Sequence, residues 1–221
     1  MTINGKPISE YRAELMRDYS VTAASVESAT YQGRNRTHFH LVTQTFGMKR
    51  LSLSLFFHAR HHDEVMQAKT AFDGSLWGVI EIAMPDGYLY RCVLESAGEL
   101  SYVGYVCGVA DYTFTGMQQK PLVTVSGQQL VCVSTVPYTD VRIDAKTTAA
   151  DGSLGGVPFS GLPVGQPITV DGIEKRLLLD GAPYATGFEL TGAFPSLVPG
   201  SNTIAAEGVE NVTVSYYPTF M

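Results

Sequence analysis

Arg50-Leu51-Ser52-Leu53-Ser54-Leu55-Phe56-Phe57, followed after a short gap by His61-His62-Asp63-Glu64-Val65, decides the fold. Leu51, Leu53, Leu55 and Phe57 alternate with Ser52, Ser54 and Phe56, a two-residue period that puts one apolar face on a core. The period then changes. Val65, Ala68, Phe72 and Leu76 recur every three or four residues behind two acids, which predicts a short amphipathic helix over about 63–76, closed at Asp73-Gly74 or Gly78. Residues 79–83, 88–94 and 101–114 are rich in Val, Ile and Tyr and are broken by Pro85-Asp86-Gly87 and Gly98, so three more strands follow. The expected unit is a mostly antiparallel sheet with one helix across it.

Upstream, Asn4-Gly5 and Pro7 are turn candidates, and 18–24 reads as a strand. Small and polar residues over 24–35 read as a loop. A strand resumes over 37–46, with Phe39 and Leu41 on one face and His38, His40 and Val42 on the other. Downstream, Met117-Gln118-Gln119-Lys120-Pro121 reads as a linker, which divides the chain into 1–120 and 121–221. Beyond it no helical period is sustained. Short strands over 122–125, 130–133, 141–145, 168–170, 176–179, 203–205 and 212–216 alternate with turns, the pattern of a β-sandwich. Val170-Asp171-Gly172-Ile173 reads as a tight hairpin turn with positive φ angles. The fold class is therefore mainly β: an antiparallel β domain carrying one α-helix, then a β-sandwich.

Composition excludes several functions. The chain has 221 residues, 45% apolar and 16% charged, enough to bury a core. Its net charge of −6 and the lack of any basic cluster longer than Lys49-Arg50 argue against sequence-specific nucleic-acid binding. No apolar run approaches the ~20 residues of a membrane span, so no membrane insertion is expected. The N-terminus carries Lys6, Glu10, Arg12 and Glu14 instead of a signal-peptide core, and the chain is expected to be made in the cytoplasm. Cys92, Cys107 and Cys132 lie in apolar runs without CxxC spacing and read as reduced core thiols.

The candidate chemistries are weak. His38 and His40, with His58, His61, His62, Asp63 and Glu64, invite a metal site, yet their spacing is not that of a helical HExxH centre; a polar strand face and a solvated helix entry explain them. No GxSxG elbow, GxGxxG or Walker loop occurs, and Gly155-Gly156 is followed by neither lysine nor helix. Asp151, Asp171 and Asp180, with Glu189, could pair as glycosidase carboxylates across a sandwich, but the three aspartates each precede a glycine and read as turn residues. Neither an enzyme nor a cofactor is expected. Trp77, at the helix end, reads as a packing anchor between helix and sheet.

The order of these elements resembles the distal tail proteins (Dit) of long-tailed bacteriophages. The first half matches their ring-forming domain: strand, acid-led helix, strand, the Tyr-rich Tyr88-Leu89-Tyr90-Arg91-Cys92-Val93-Leu94, then a long strand closing in Lys120-Pro121-Leu122-Val123. The second half is similar to their galectin-like C-terminal domain. The stretches that carry this are Ile168-Thr169-Val170-Asp171-Gly172, Asp180-Gly181, Leu197-Val198-Pro199-Gly200-Ser201-Asn202-Thr203-Ile204 and Val212-Thr213-Val214-Ser215-Tyr216-Tyr217-Pro218-Thr219-Phe220. Thr219 stands where relatives often carry a basic residue, and the length leaves no room for inserted carbohydrate-binding modules.

The resemblance implies a virion protein at the tail tip, of phage or prophage origin. There a homo-hexameric ring would join the tail tube protein to a tail-associated baseplate or fibre protein and leave a channel for DNA. For the subunit contact, the hairpin around Met84-Pro85-Asp86-Gly87-Tyr88 is the candidate, with Val79, Ile80, Ile82, Met84, Tyr88 and Tyr90 as its residues. An ordinary hairpin packed on its own helix is the other reading of the same residues. The alternative function is a monomeric carbohydrate-binding module using the C-terminal sandwich.

Overall fold

The computed structural model describes residues 1–32, 34, 37–190 and 192–221. Two compact units divide the chain, Met1–Gln119 with Met221 and Lys120–Phe220. Met117, Gln118 and Gln119, expected in a linker, instead finish a long strand by pairing with Arg91, Tyr90 and Leu89. Regular structure stops at Lys120, ahead of the proline that cannot donate to a ladder.

The first unit contains β1 (Thr2–Ile3), β2 (Lys6–Pro7), β3 (Ala13–Val21), β4 (Val26–Gln32), β5 (Phe39–Phe46), β6 (Lys49–His58), α1 (His62–Gly74), β7 (Ile80–Ala83), β8 (Leu89–Ala97), β9 (Ser101–Gly104) and β10 (Cys107–Gln119). Its main sheet has the order β2-β1-β7-β8-β10-β6-β3, with β9 also on β10. All of its pairs are antiparallel. The two-residue period of β6 is realised: Leu51, Leu53, Leu55 and Phe57 are all buried.

Over that face lies α1, the only α-helix among the described residues, with Val65, Ala68 and Phe72 turned inward. Asp63 and Glu64 occupy its first turn, where the helix dipole favours them. Phe72 is held edge-on by three rings: Tyr112 (5.1 Å between centroids), Tyr11 (5.5 Å) and Phe57 (5.8 Å).

Besides the strand expected over 18–24, which runs instead as β3 from Ala13 to Val21, three expectations change in this half. Instead of one strand over 101–114, β9 turns back on β10 after Gly104. The expected loop over 24–35 contains β4, whose Ser, Thr, Ala and Gln residues form a ladder with β5 because pairing, not burial, organises them; Asn35 lies outside the described residues. The third concerns Trp77, which is 93% exposed. Phe72 and Leu76 provide the packing between helix and sheet that Trp77 was expected to supply.

The second unit comprises β11 (Val123–Ser126), β12 (Gln129–Cys132), β13 (Thr139–Thr147), β14 (Gly152–Leu154), β15 (Val157–Phe159), β16 (Pro167–Asp171), β17 (Arg176–Leu179), β18 (Ala182–Pro183), β19 (Ser196–Leu197), β20 (Gly200–Thr203), β21 (Ala206–Glu207) and β22 (Val209–Tyr216). The larger sheet runs β11-β22-β13-β16-β17-β18, with β19 on β13; β12-β20 and β15-β14-β21 form smaller sheets. Leu130, Ile143, Phe159, Val170 and Val214, drawn from all three, share one core. The strand expected over 203–205 lies earlier, as β20, because Asn202 pairs with Leu130.

The Asp-Gly rule applies one hairpin later than expected. Asp180 (φ 50°) and Gly181 (φ 75°) form the two-residue turn joining β17 to β18. After β16 the chain takes a longer turn, in which the Asp171 carboxylate accepts the N–H groups of Ile173 and Glu174. Gly172 is required there for proximity: a Cβ would sit 2.7 Å from the Val141 carbonyl oxygen. Asp151 likewise serves a turn, accepting the Gly161 N–H at 3.0 Å. Gly155-Gly156 is the two-residue turn between β14 and β15.

Candidate assembly surface

Four of the six residues expected at a subunit contact are inside the first unit. Ile80, Ile82, Met84 and Tyr90 belong to its core, and Ile82 is 0% exposed. Strand β7 is also not an edge: Ile3 pairs with Ile82 on one side and Tyr90 with Ile82 on the other. These side chains therefore offer nothing to a neighbour. Sequence alternation identified an apolar strand face but could not say which layer covers it. Tyr88 is half-buried, and Val79 is 64% exposed.

The β7–β8 turn is fixed by the unit's own polar groups. Gly87 donates to the Met84 carbonyl at 3.1 Å, and the Asp86 carboxylate accepts the Tyr88 N–H at 3.0 Å and the Tyr19 hydroxyl at 2.6 Å. That bond to Asp86 raises the Tyr19 pKa. Lys49 donates to Gln118 at 2.6 Å, and Gln118 donates to the Tyr90 hydroxyl at 3.0 Å. Desolvation lowers the pKa of Lys49 and pushes that of Tyr90 up to about 12.

What the unit does present is the β4–β5 hairpin. Among the described residues it pairs with no other strand, and every residue of β4 is exposed. Val26, Tyr31, Leu41, Val42 and Phe46 put large apolar groups on it, while Glu27 is the only acid and no Lys or Arg lies within its strands. At ~3.3 Å per residue its seven-residue β4 strand extends about 23 Å. An isolated two-stranded hairpin is marginally stable in water, so this one is suited to being covered.

A second protrusion is the Trp77-Gly78-Val79 loop. Leu76 and Ile80 are buried on either side of it, and Gly78 (φ 79°) supplies the left-handed conformation between two outward-facing residues.

The histidines do not converge on a ligand set. His58 pairs with Glu14 at 3.3 Å, while His62 Nδ1 lies 2.8 Å from the Tyr105 carbonyl oxygen with its ring stacked on Tyr102 and Tyr105. His40 sits on the hairpin opposite Tyr31. Among the described residues, no three His, Cys, Asp or Glu side chains form a metal cluster. Burial pushes the Cys92 thiol up to about 12, which leaves it a protonated core residue. No helix among the described residues is long and apolar enough to cross a membrane.

In the second unit, the outer face of β13 and β16 carries a closed polar network. Arg142 forks onto Asp144 with bonds of 2.9–3.2 Å, and Thr169 donates to Asp144 at 2.6 Å. An open cleft of about 480 Å³ is lined by residues 126–128 and 209–213, none of them aromatic. It lacks the stacking platform of many sugar sites.

No protein-family model and no curated sequence matches the chain. Solved structures do. The Dit protein of phage SPP1, described as a paradigm of the hub adsorption apparatus in phages infecting Gram-positive bacteria, superposes with a TM-score of 0.75 at 13% identity, covering 99% of this chain and 98% of that one. A chain of the phage P2 baseplate in its activated conformation with Ca gives a TM-score of 0.56 at 7% identity, covering 95% and 91%; the baseplate with Sr gives the same values. Over nearly its whole length, with one helix on the first sheet and a β-sandwich after it, this chain has the fold of a phage distal tail (Dit) protein.

Proposed function

We propose that the chain is a structural component of a phage tail tip, a hub that joins tail tube to baseplate or fibre. The observation that carries this reading is the co-extensive likeness to the SPP1 Dit protein: both units, in order, with almost no residue left over in either chain. A shared single domain would support only a shared module, whereas the same succession of two domains supports a shared architecture.

In this reading copies of the chain close into a six-membered ring through the first unit, the second unit is a galectin-like sandwich, and the ring encloses a passage for DNA. Strand addition through β7–β8 is replaced by contact through β4–β5, the exposed, nearly uncharged hairpin. The net charge of −6 suits a lumen that must not retain DNA. Tail tube protein on one side and a tail-associated baseplate or fibre protein on the other are the partners, and the mature location is the virion tail tip.

The test is the solution mass of the purified chain by light scattering, with negative-stain images of the same fraction. Closed rings with a central hole are the expected result. A monomer at every concentration, alone and with a tail tube protein, would overturn the ring.

A further inference from the structure

Trp77 is the chain's one tryptophan, and it stands in solvent with 93% of its surface exposed. Ordinary exposed leucines need no explanation, but a projecting indole on a constrained loop does, because Trp is the side chain most enriched among interface hot spots. The loop cannot fold inward. Leu76 and Ile80 are both in the core, so the two residues that would have to move to bury Trp77 are already committed.

Within the same unit is a groove of about 370 Å³. Ser20, Ser52, Ser54 and Thr113 give it small walls, and Asp111 stands within it. The Asp111 carboxylate accepts the Ser54 hydroxyl through Oδ1, leaving Oδ2 as an acceptor suited to an indole N–H. Ser52 and Ser54 alternate with Leu51, Leu53 and Leu55, so the groove opens on the sheet face opposite α1, whereas Trp77 directly follows α1. In strand order, β8 separates β7, the strand after Trp77, from β10, β6 and β3, which line the groove. One molecule therefore carries the knob and the groove on different faces. That is the condition for a head-to-tail contact, which generates a ring where its rotation closes, as the ring reading requires.

We propose that Trp77 of one copy inserts into the Ser20–Ser52–Thr113 groove of a second copy, its indole N–H donating to Asp111. The inference rests on the ring reading and assigns its contact. The groove also adjoins the base of the β4–β5 hairpin, where Arg50 N–H donates to the Thr22 hydroxyl at 3.0 Å, two residues from Ser20 and Ser52. Groove and hairpin thus form one continuous receiving surface, and Trp77 with Val79 forms the other.

Because Trp77 is the only tryptophan, its emission reports on the contact directly. A concentration series of the full chain, followed by light scattering and tryptophan fluorescence together, should show a blue shift that tracks assembly. Trp77→Ala should leave thermal unfolding unchanged and weaken assembly by roughly thirty-fold or more, the range of a hot-spot tryptophan. Ser52→Phe should fill the groove and also block assembly. An equimolar mixture of the two variants retains one good knob and one good groove per pair, so it should give a 1:1 heterodimer and nothing larger. Rings whose tryptophan emission does not move, or a Trp77→Ala chain that assembles normally, would overturn this inference and leave the ring reading standing. A wild-type chain that stays monomeric at every concentration, alone and with a tail tube protein, would overturn both.

Discussion

Tyr112 donates its hydroxyl to Asp73 Oδ1 at 2.7 Å, while Lys69 holds Oδ2 of the same carboxylate at 2.6 Å. One side chain of α1 thereby joins the helix to β10 and neutralises a nearly buried lysine. Asp73→Ala should cost the first unit about 2–4 kcal/mol, because it leaves both a phenol and an ammonium without partners. Tyr112→Phe removes only the donor and should cost about 0.5–1.5 kcal/mol. Denaturant titrations of both variants would check the order. Equal losses would mean that the lysine is satisfied elsewhere.

The same unit should be labile to alkali. Its core holds Cys92, raised from 9.0 to about 12, and Tyr90, raised from 10.0 to about 12; burial also raises Tyr112. For each group the folded pKa exceeds the unfolded one, so the unfolded chain gives up its proton first. The stabilisation is complete below the unfolded values and is lost as pH rises toward the folded ones. Melting temperature should therefore begin to fall above about pH 9 and drop steeply between 10 and 12. Removing the thiol in Cys92→Ala should delay the onset; an unchanged onset would point to the tyrosines alone.

Gly172 and Gly181 both follow an aspartate, yet they are glycines for different reasons. Gly181 has a positive φ and open space around it, so Gly181→Ala should cost about 1–2 kcal/mol from backbone conformation alone. At Gly172 a methyl group would meet the Val141 and Pro195 carbonyl oxygens at 2.7 and 2.9 Å, and the backbone itself would have to move. Gly172→Ala should cost about 3 kcal/mol or more. Thermal unfolding of the two variants distinguishes a strained turn from a close approach.

That pair also shows how far the sequence could be read. Period carries through where a residue faces one core, so Leu51 to Phe57 and the helix around Phe72 were legible from spacing alone. The Asp-Gly signal was legible as a turn, but which aspartate caps and which adopts positive φ depends on what packs against it, and Val141 is thirty-one residues from Gly172. Four residues of the candidate contact are buried for a related reason. Ile80, Ile82, Met84 and Tyr90 have the apolar character of an interface, but α1 and the sheet already use it. Trp77 failed in the opposite direction: its character fits a core, and only the burial of Leu76 and Ile80 on either side forces it outward. In the β4–β5 hairpin, the strand over 37–46 was legible and is β5, whereas β4, exposed at every residue, left no apolar period to find.

Leu41 and Val42 lie side by side in β5, where the register against β4 shifts, and both are more than half exposed. Neither belongs to a core, so a double change Leu41→Lys and Val42→Lys should alter folding stability by no more than about 0.5 kcal/mol per site. In a ring the outcome differs, because two ammonium groups would be placed in a contact that carries almost no charge to offset them, and burying unpaired charge is costly. Light scattering should find this variant monomeric at concentrations where the wild type assembles, with unchanged circular dichroism and melting. A variant that still forms rings would show that the hairpin lies outside the subunit contact and is covered by another component of the tail. A variant that unfolds would show that the hairpin is part of the fold of a single copy, contrary to its exposure.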